Sequence, residues 1–254
     1  MSAEGTIILY DLPSQEPCRA WSLNPWKTRL LLAFKDLDYK TEWVEYPDIR
    51  PKFEEHFPLP EGVSLYTIPT VKFPDGKYIM NSKDIAQYIE EQYPEPSIHL
   101  DSPYIRKVMI EISALFDHTL GRSLYGVVLD RIPSRVLNPR SAEYWIRTRS
   151  EIVGKPLGEM TAEERGGKVL WDNAVKNMAE LTRLLKENPD GPFFEGKTVT
   201  YADFYWVGFL LFFRRLGEDV FQKLISVSGD VEGSENVHLK LLEACKQWSE
   251  RDDH

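Results

Sequence analysis

The chain of 254 residues is poor in the residue types that build metal and disulfide frameworks. It has two cysteines, Cys18 and Cys245, and neither sits in a Cys-x-x-Cys pair, so no zinc ribbon and no disulfide scaffold is expected. Its five histidines are scattered singly, without ligand spacing, so a metal-free protein is expected. There is no excess of basic residues: the formal charge is -9, which argues against non-specific nucleic-acid binding as the main task. No run of about 18 apolar residues occurs, so no membrane span is expected. "MSAEGTIILYD" has no basic segment leading into an apolar one, so no secretory signal is expected. Repeats and low-complexity tracts are absent too.

What remains is ordinary globular material, 42% hydrophobic and 28% charged, enough for one large or two small domains. "TIILYD" reads as a strand and is followed by a proline-bearing loop from Asp11 to Ser22. The next helix is expected to begin at Pro25, with Asn24 as its cap, because proline lacks the N–H that would be unpaired there. Trp26, Leu30, Ala33 and Leu37 recur at helical spacing and mark its buried face. "KTEWVEYP" reads as a second strand, and "YTIPTVKFPDGKYIM" as strand, Pro-Asp-Gly turn, strand. "NSKDIAQYIEEQYP" closes the unit as a helix with Ile85, Tyr88 and Ile89 on one face. The order is strand, helix, strand, short helix, strand, strand, helix, which predicts a mixed sheet with helices on its faces.

Beyond the connector "YPEPSIHLDSP" the strand signals stop. Helical periodicity runs from about Pro103 to Asp130 and returns in "AEYWIRTRSEIVG", in "GGKVLWDNAVKNMAELTRLLKEN" and from Val237 onward. The most apolar helix, "TVTYADFYWVGFLLFFRRLG", belongs at the centre of this second unit. It opens on Thr200-Tyr-Ala-Asp203, a capping box with aspartate in place of glutamate or glutamine. "SVSGDVEGSEN" reads as an exposed loop.

Four motifs in this order carry a family resemblance. Ser22-Leu-Asn-Pro-Trp-Lys27 stands ahead of the first helix, Thr67-Ile-Pro-Thr70 opens a strand, Asn81-Ser82 opens the third helix, and Thr200–Asp203 caps the core helix. So placed, the chain resembles the cytosolic glutathione transferases. "ILYDL", "WSLNPWKTRLLLAFK" and "LDYKTEWVEYPDI" narrow the resemblance to the fungal etherase-like serine transferases called FuA.

The resemblance implies an α/β thioredoxin-like domain over residues 1–94, a linker over 95–102, and an all-α domain over 103–254 that contributes the electrophile site. Glutathione is the implied co-substrate, with no metal. Ser22 is the implied catalytic residue. Asn24, Ile68, Pro69, Asn81 and Ser82 are implied to hold glutathione, the Ile68–Pro69 bond being cis. Trp21, Trp26, Phe116 and Tyr125 are candidate walls for the second substrate. Physically, a thiol pKa near about 8.5 leaves little thiolate at neutral pH. A hydroxyl donating to the sulfur needs no base, and no histidine partner for a hydrolytic serine is evident.

The expected partners are small aromatic or phenolic electrophiles, not nucleic acid or membrane. By family analogy the protein is a cytoplasmic homodimer active in detoxification. Two rival readings stay open. One is a ligandin-type store for phenolic compounds, because Asn81 replaces the usual carboxylate. The other is thiol-disulfide or deglutathionylating chemistry at Cys18, whose neighbour Arg19 would favour its thiolate.

Overall fold

A computed structural model describes residues 5–59, 65–118, 128, 131–154, 156–157 and 168–254. Four strands form one mixed sheet: β1 (Ile7–Asp11), β2 (Tyr39–Trp43), β3 (Thr70–Lys72) and β4 (Tyr78–Met80), in the order β2-β1-β3-β4. β1 and β2 run parallel, with Ile7 opposite Tyr39. A parallel neighbour needs a crossover, and α1 (Leu23–Phe34) supplies it. β3 and β4 are antiparallel, Val71 opposite Ile79, because only a tight turn joins them. In that turn Gly76, at φ +86°, donates its N–H to the Phe73 carbonyl at 2.9 Å, and Asp75 accepts from the Lys77 N–H at 2.9 Å. A short α2 (Ile49–Glu54) follows β2, and α3 (Ser82–Gln92) follows β4.

Among the described residues beyond α3 the regular elements are helices: α4 (Pro103–His118), α5 (Arg131–Arg135), α6 (Pro139–Val153), α7 (Lys168–Leu185), α8 (Tyr201–Leu216), α9 (Glu218–Ser226) and α10 (Val237–Ala244). α5 and α9 were not anticipated; each is short, and α9 begins directly after Gly217, where α8 ends. The sequence thus forms the thioredoxin-like plus all-helical arrangement that the motif order implied.

α8 is the axis of the helical domain. Phe204, Trp206, Val207, Leu210 and Phe213 are fully buried along it, each contributing about 1.5–3 kcal/mol of apolar burial. Its start is sealed. The Asp203 carboxylate accepts from the Thr200 N–H at 2.7 Å, the Thr200 hydroxyl at 2.8 Å and the Phe194 N–H at 2.9 Å. Every part of that capping box is buried.

α8 packs directly on α1, and Gly208 permits the approach. A Cβ there would stand 3.1 Å from the Leu23 carbonyl oxygen and 3.3 Å from the Lys27 chain. The first turn of α1 is therefore seated against the core helix of the other domain. Arg29, further along α1, is fully buried and bonds the Asp11 carboxylate at 2.7 Å and the Thr41 hydroxyl at 2.9 Å. The C-terminal residues close over this point: Arg29 also reaches the Arg251 and His254 carbonyls, and Arg19 pairs with Asp252 at 2.5 Å. The loop before α1 is thereby tied down at both ends.

Candidate active site

Ser22 is the N-cap of α1, in extended backbone at φ -78° and ψ 136°. Its carbonyl accepts from the Trp26 N–H at 3.2 Å, but its side chain makes no capping hydrogen bond. α1 thus begins two residues earlier than the sequence suggests, and Asn24 is not its cap. The reason is local. Pro25 stands at the third helical position, whose N–H has no intrahelical acceptor, so a proline is tolerated there as well as at the first. Asn24 is instead an exposed residue of the first turn, and its Oδ1 accepts from Lys27 Nζ at 2.9 Å.

Ser22 opens onto a cavity of about 440 Å³ between the two domains. The sheet domain contributes Leu12, the stretch Trp21–Asn24, Tyr46, Ile49, Arg50 and the stretch Leu65–Ile68; the helical domain contributes Ile132, Tyr144, Trp145, Arg149, Phe209, Phe212 and Phe213. The walls are aromatic and ordered against each other. Trp21, held by its indole N–H to the Pro13 carbonyl at 3.2 Å, stands 6.2 Å from Phe212. Tyr46 stacks on Tyr144 at 6.3 Å and 12°.

The other anticipated residues fall into three groups. Ile68 lines the cavity; the Ile68–Pro69 bond is cis, and the Pro69 carbonyl accepts from the Asn81 N–H at 3.1 Å. Asn81 and Ser82 therefore continue from the cavity's edge without lining it. Asn81, at φ +81°, caps α3 by accepting from the Lys83 N–H at 3.2 Å. Ser82 is the first helical residue rather than the cap, and its carbonyl accepts from the Tyr201 hydroxyl at 2.8 Å, which fixes the start of α3 against α8. Trp26 does not reach the cavity. It is buried at the contact of α1 with α8, where a Cβ on Gly208 would meet its own Cβ at 3.4 Å, and its Nε1 has no hydrogen-bond partner among the described residues. The Phe116 side chain and all of Tyr125 lie outside the described residues.

The electrostatics separate Ser22 from the rival nucleophile. Burial pushes the Cys18 thiol up, helped by Glu16, Asp11 and Glu45, and Cys18 does not line the cavity. The expected help from Arg19 is missing because its guanidinium is engaged by Asp252. Lys27 is buried over the Tyr205 ring at 3.4 Å, and desolvation draws its amine down to about 7. Among the described residues no group of three or more His, Cys, Asp or Glu is placed to hold a metal, and no helix is long and apolar enough to cross a membrane.

Residues 21–92 match the glutathione S-transferase N-terminal domain, and residues 112–248 match the glutathione S-transferase C-terminal domain. The chain belongs to the glutathione S-transferase family. A glutathione S-transferase-like protein of Aspergillus flavus, ustS, is 27% identical, with 97% of this chain and 95% of that protein aligned. Among solved structures, the glutathione transferase GSTFuA3 of Phanerochaete chrysosporium superposes with a TM-score of 0.79 at 28% identity, covering 96% of this chain and 97% of that one. CsGST63524 of Ceriporiopsis subvermispora, solved in complex with glutathione, gives 0.80 at 29%, covering 96% and 98%.

The transferase cavity also holds residues that sequence reasoning missed: Tyr46, Tyr144, Trp145, Arg149 and the Phe209, Phe212, Phe213 group. The phenylalanines were legible only as core of α8. Tyr144, Trp145 and Arg149 carry one usable signal, an aromatic pair followed by arginine one helical turn later on α6.

Proposed function

We propose that this glutathione S-transferase is of the serine type and attacks aromatic electrophiles, aryl ethers included. The observation that carries the reading is the uncapped Ser22 hydroxyl at the mouth of α1, opening into an aromatic cavity. Glutathione lies along Ile68, Pro69, Asn81 and Ser82, with Asn24 beside the sulfur. Its cysteine backbone pairs beside the cis proline, and its γ-glutamyl carboxylate meets the Ser82 hydroxyl at the start of α3.

Ser22 donates to the sulfur, an interaction of roughly 1.5–3 kcal/mol for a charged acceptor. The helix start adds about 0.3–1 kcal/mol. At about 1.4 kcal/mol per pKa unit, the two lower the thiol pKa by roughly one to three units. The thiolate's electron pair forms a C–S bond, and a halide, or the phenolate of an aryl ether, leaves with the electrons of the broken bond. Ser22 keeps its proton throughout. The enzyme works as a cytoplasmic homodimer, with the domain boundary in the segment 95–102.

A storage reading has one observation in its favour. Asn81 is neutral and its Oδ1 is occupied by the Lys83 amide, so it holds an ammonium group less firmly than a carboxylate does. One experiment separates the two. Ser22→Ala is assayed with 1-chloro-2,4-dinitrobenzene alongside calorimetric glutathione titration. Turnover lost with glutathione binding kept supports the serine role. No turnover in the parent protein, with tight phenol binding, supports storage.

A further inference from the structure

The cavity's charge runs against that of the chain. The protein carries 40 acidic and 31 basic residues, yet among the described residues the only charged side chains on the cavity wall are two arginines, Arg50 and Arg149. Arg50 sits at the rim, its side chain 70% exposed and its Nε paired with Glu54 at 3.1 Å. Arg149 is half-buried on α6. Its guanidinium lies 4.2 Å from the Trp145 ring and 5.7 Å from that of Tyr46, and its Nη1 donates to the Thr148 hydroxyl at 3.0 Å.

We propose that Arg149 recognises an anionic group, a carboxylate in the simplest case, on the aromatic second substrate. This rests on the cavity being the electrophile site. The π-faces of the nearby indole and phenol rings hold the guanidinium, and the N–H donors on its edge, beyond the one given to Thr148, suit a planar acceptor. A carboxylate fits that edge with two parallel hydrogen bonds. The surrounding rings, Tyr46, Tyr144 and Trp145, suit the aromatic body of the same molecule. An anionic electrophile also approaches a thiolate of like charge, and a cation on the opposite wall offsets that repulsion. The favoured substrate is therefore an aromatic acid whose charged group points away from the reacting carbon.

The test uses a matched pair, 4-chloro-3,5-dinitrobenzoate and its neutral amide, with Arg149→Gln and Arg149→Lys. The parent enzyme prefers the benzoate. Arg149→Gln lowers the benzoate-to-amide ratio of kcat/KM by about tenfold or more, the scale of a lost charge-assisted pair, and Arg149→Lys restores part of it. Equal losses on both electrophiles overturn the proposal. So does a rise confined to the KM for glutathione, which would mean that Arg149 reads glutathione's own carboxylate. Quenching of tryptophan fluorescence by unreactive 3,5-dinitrobenzoate and 3,5-dinitrobenzamide gives the same comparison without turnover. If Ser22→Ala leaves turnover intact while the binding preference persists, the serine mechanism fails and the arginine assignment stands. If the parent protein binds both probes equally, the arginine assignment fails.

Discussion

Two helix starts in this molecule treat the same physical problem differently. Both α1 and α8 begin with a hydroxyl residue in extended backbone, and both leave N–H groups with no partner inside the helix. At α8 the protein closes the end: Thr200 and Asp203 are fully buried and bonded to each other and to Phe194. At α1 it leaves the end open: Ser22 is half-buried, its side chain caps nothing, and a cavity lies in front of it. The closed start spends its donors on stability. The open one is seated against the middle of the same α8, through the contact at Gly208. On the function proposed above, the open start is where the sulfur of glutathione supplies an acceptor.

The largest expected effect comes from breaking the closed end. Asp203→Ala strips three buried hydrogen bonds and costs on the order of 3 kcal/mol of stability, read as a lowered urea midpoint. At the open end, Ser22→Ala leaves stability within about 0.5 kcal/mol of the parent but raises the pKa of bound glutathione by roughly one to two units. Thiolate absorbance followed against pH measures this; an unchanged titration would remove Ser22 from the chemistry.

The pH dependence of stability distinguishes the same two regions. His238 on α10 is buried against α8, accepting from the Trp206 indole at 2.9 Å and facing the Thr182 hydroxyl at 2.9 Å, and burial lowers its pKa from 6.5 to about 4. Between those values the unfolded chain holds a proton that the folded one does not. Stability from this group is full above 6.5 and is lost as pH falls towards about 4, by about 1.4 kcal/mol per unit. Lys27 on α1 is lowered from 10.5 to about 7, so its window lies on the alkaline side, where stability rises with pH. Melts of His238→Gln should lose the rise between about 4 and 6.5 and keep the opposing slope of buried Asp203, raised from 3.8 to about 7, whose contribution falls as pH rises; Lys27→Met should lose only the alkaline rise. The smallest effect is that of Cys18→Ser, within about 0.5 kcal/mol and without loss of turnover; a large loss would reopen the thiol chemistry.

Most elements were legible because their signals are local. The β1–α1–β2 crossover, the Pro-Asp-Gly turn and the capping box each follow from a few adjacent residues. The misses have separate causes. Asn24 was assigned as the cap because proline tolerates several positions in a first turn. Trp26 was named a candidate wall for its nearness to Ser22, although its spacing already put it on the buried face of α1, where the structure has it. Cys18 was credited with help from Arg19 because the partner of Arg19, Asp252, lies 233 residues away.

The sequence by itself determined the order of strands and helices, the two-part architecture and the serine ahead of α1, since periodicity, turn residues and caps act over a few positions. Only the tertiary structure decided that Ser22 is uncapped, that α8 supplies the far wall, and that an acidic chain gathers arginine and aromatic rings around one cavity. Those properties depend on which distant residues meet, and packing between domains settles that.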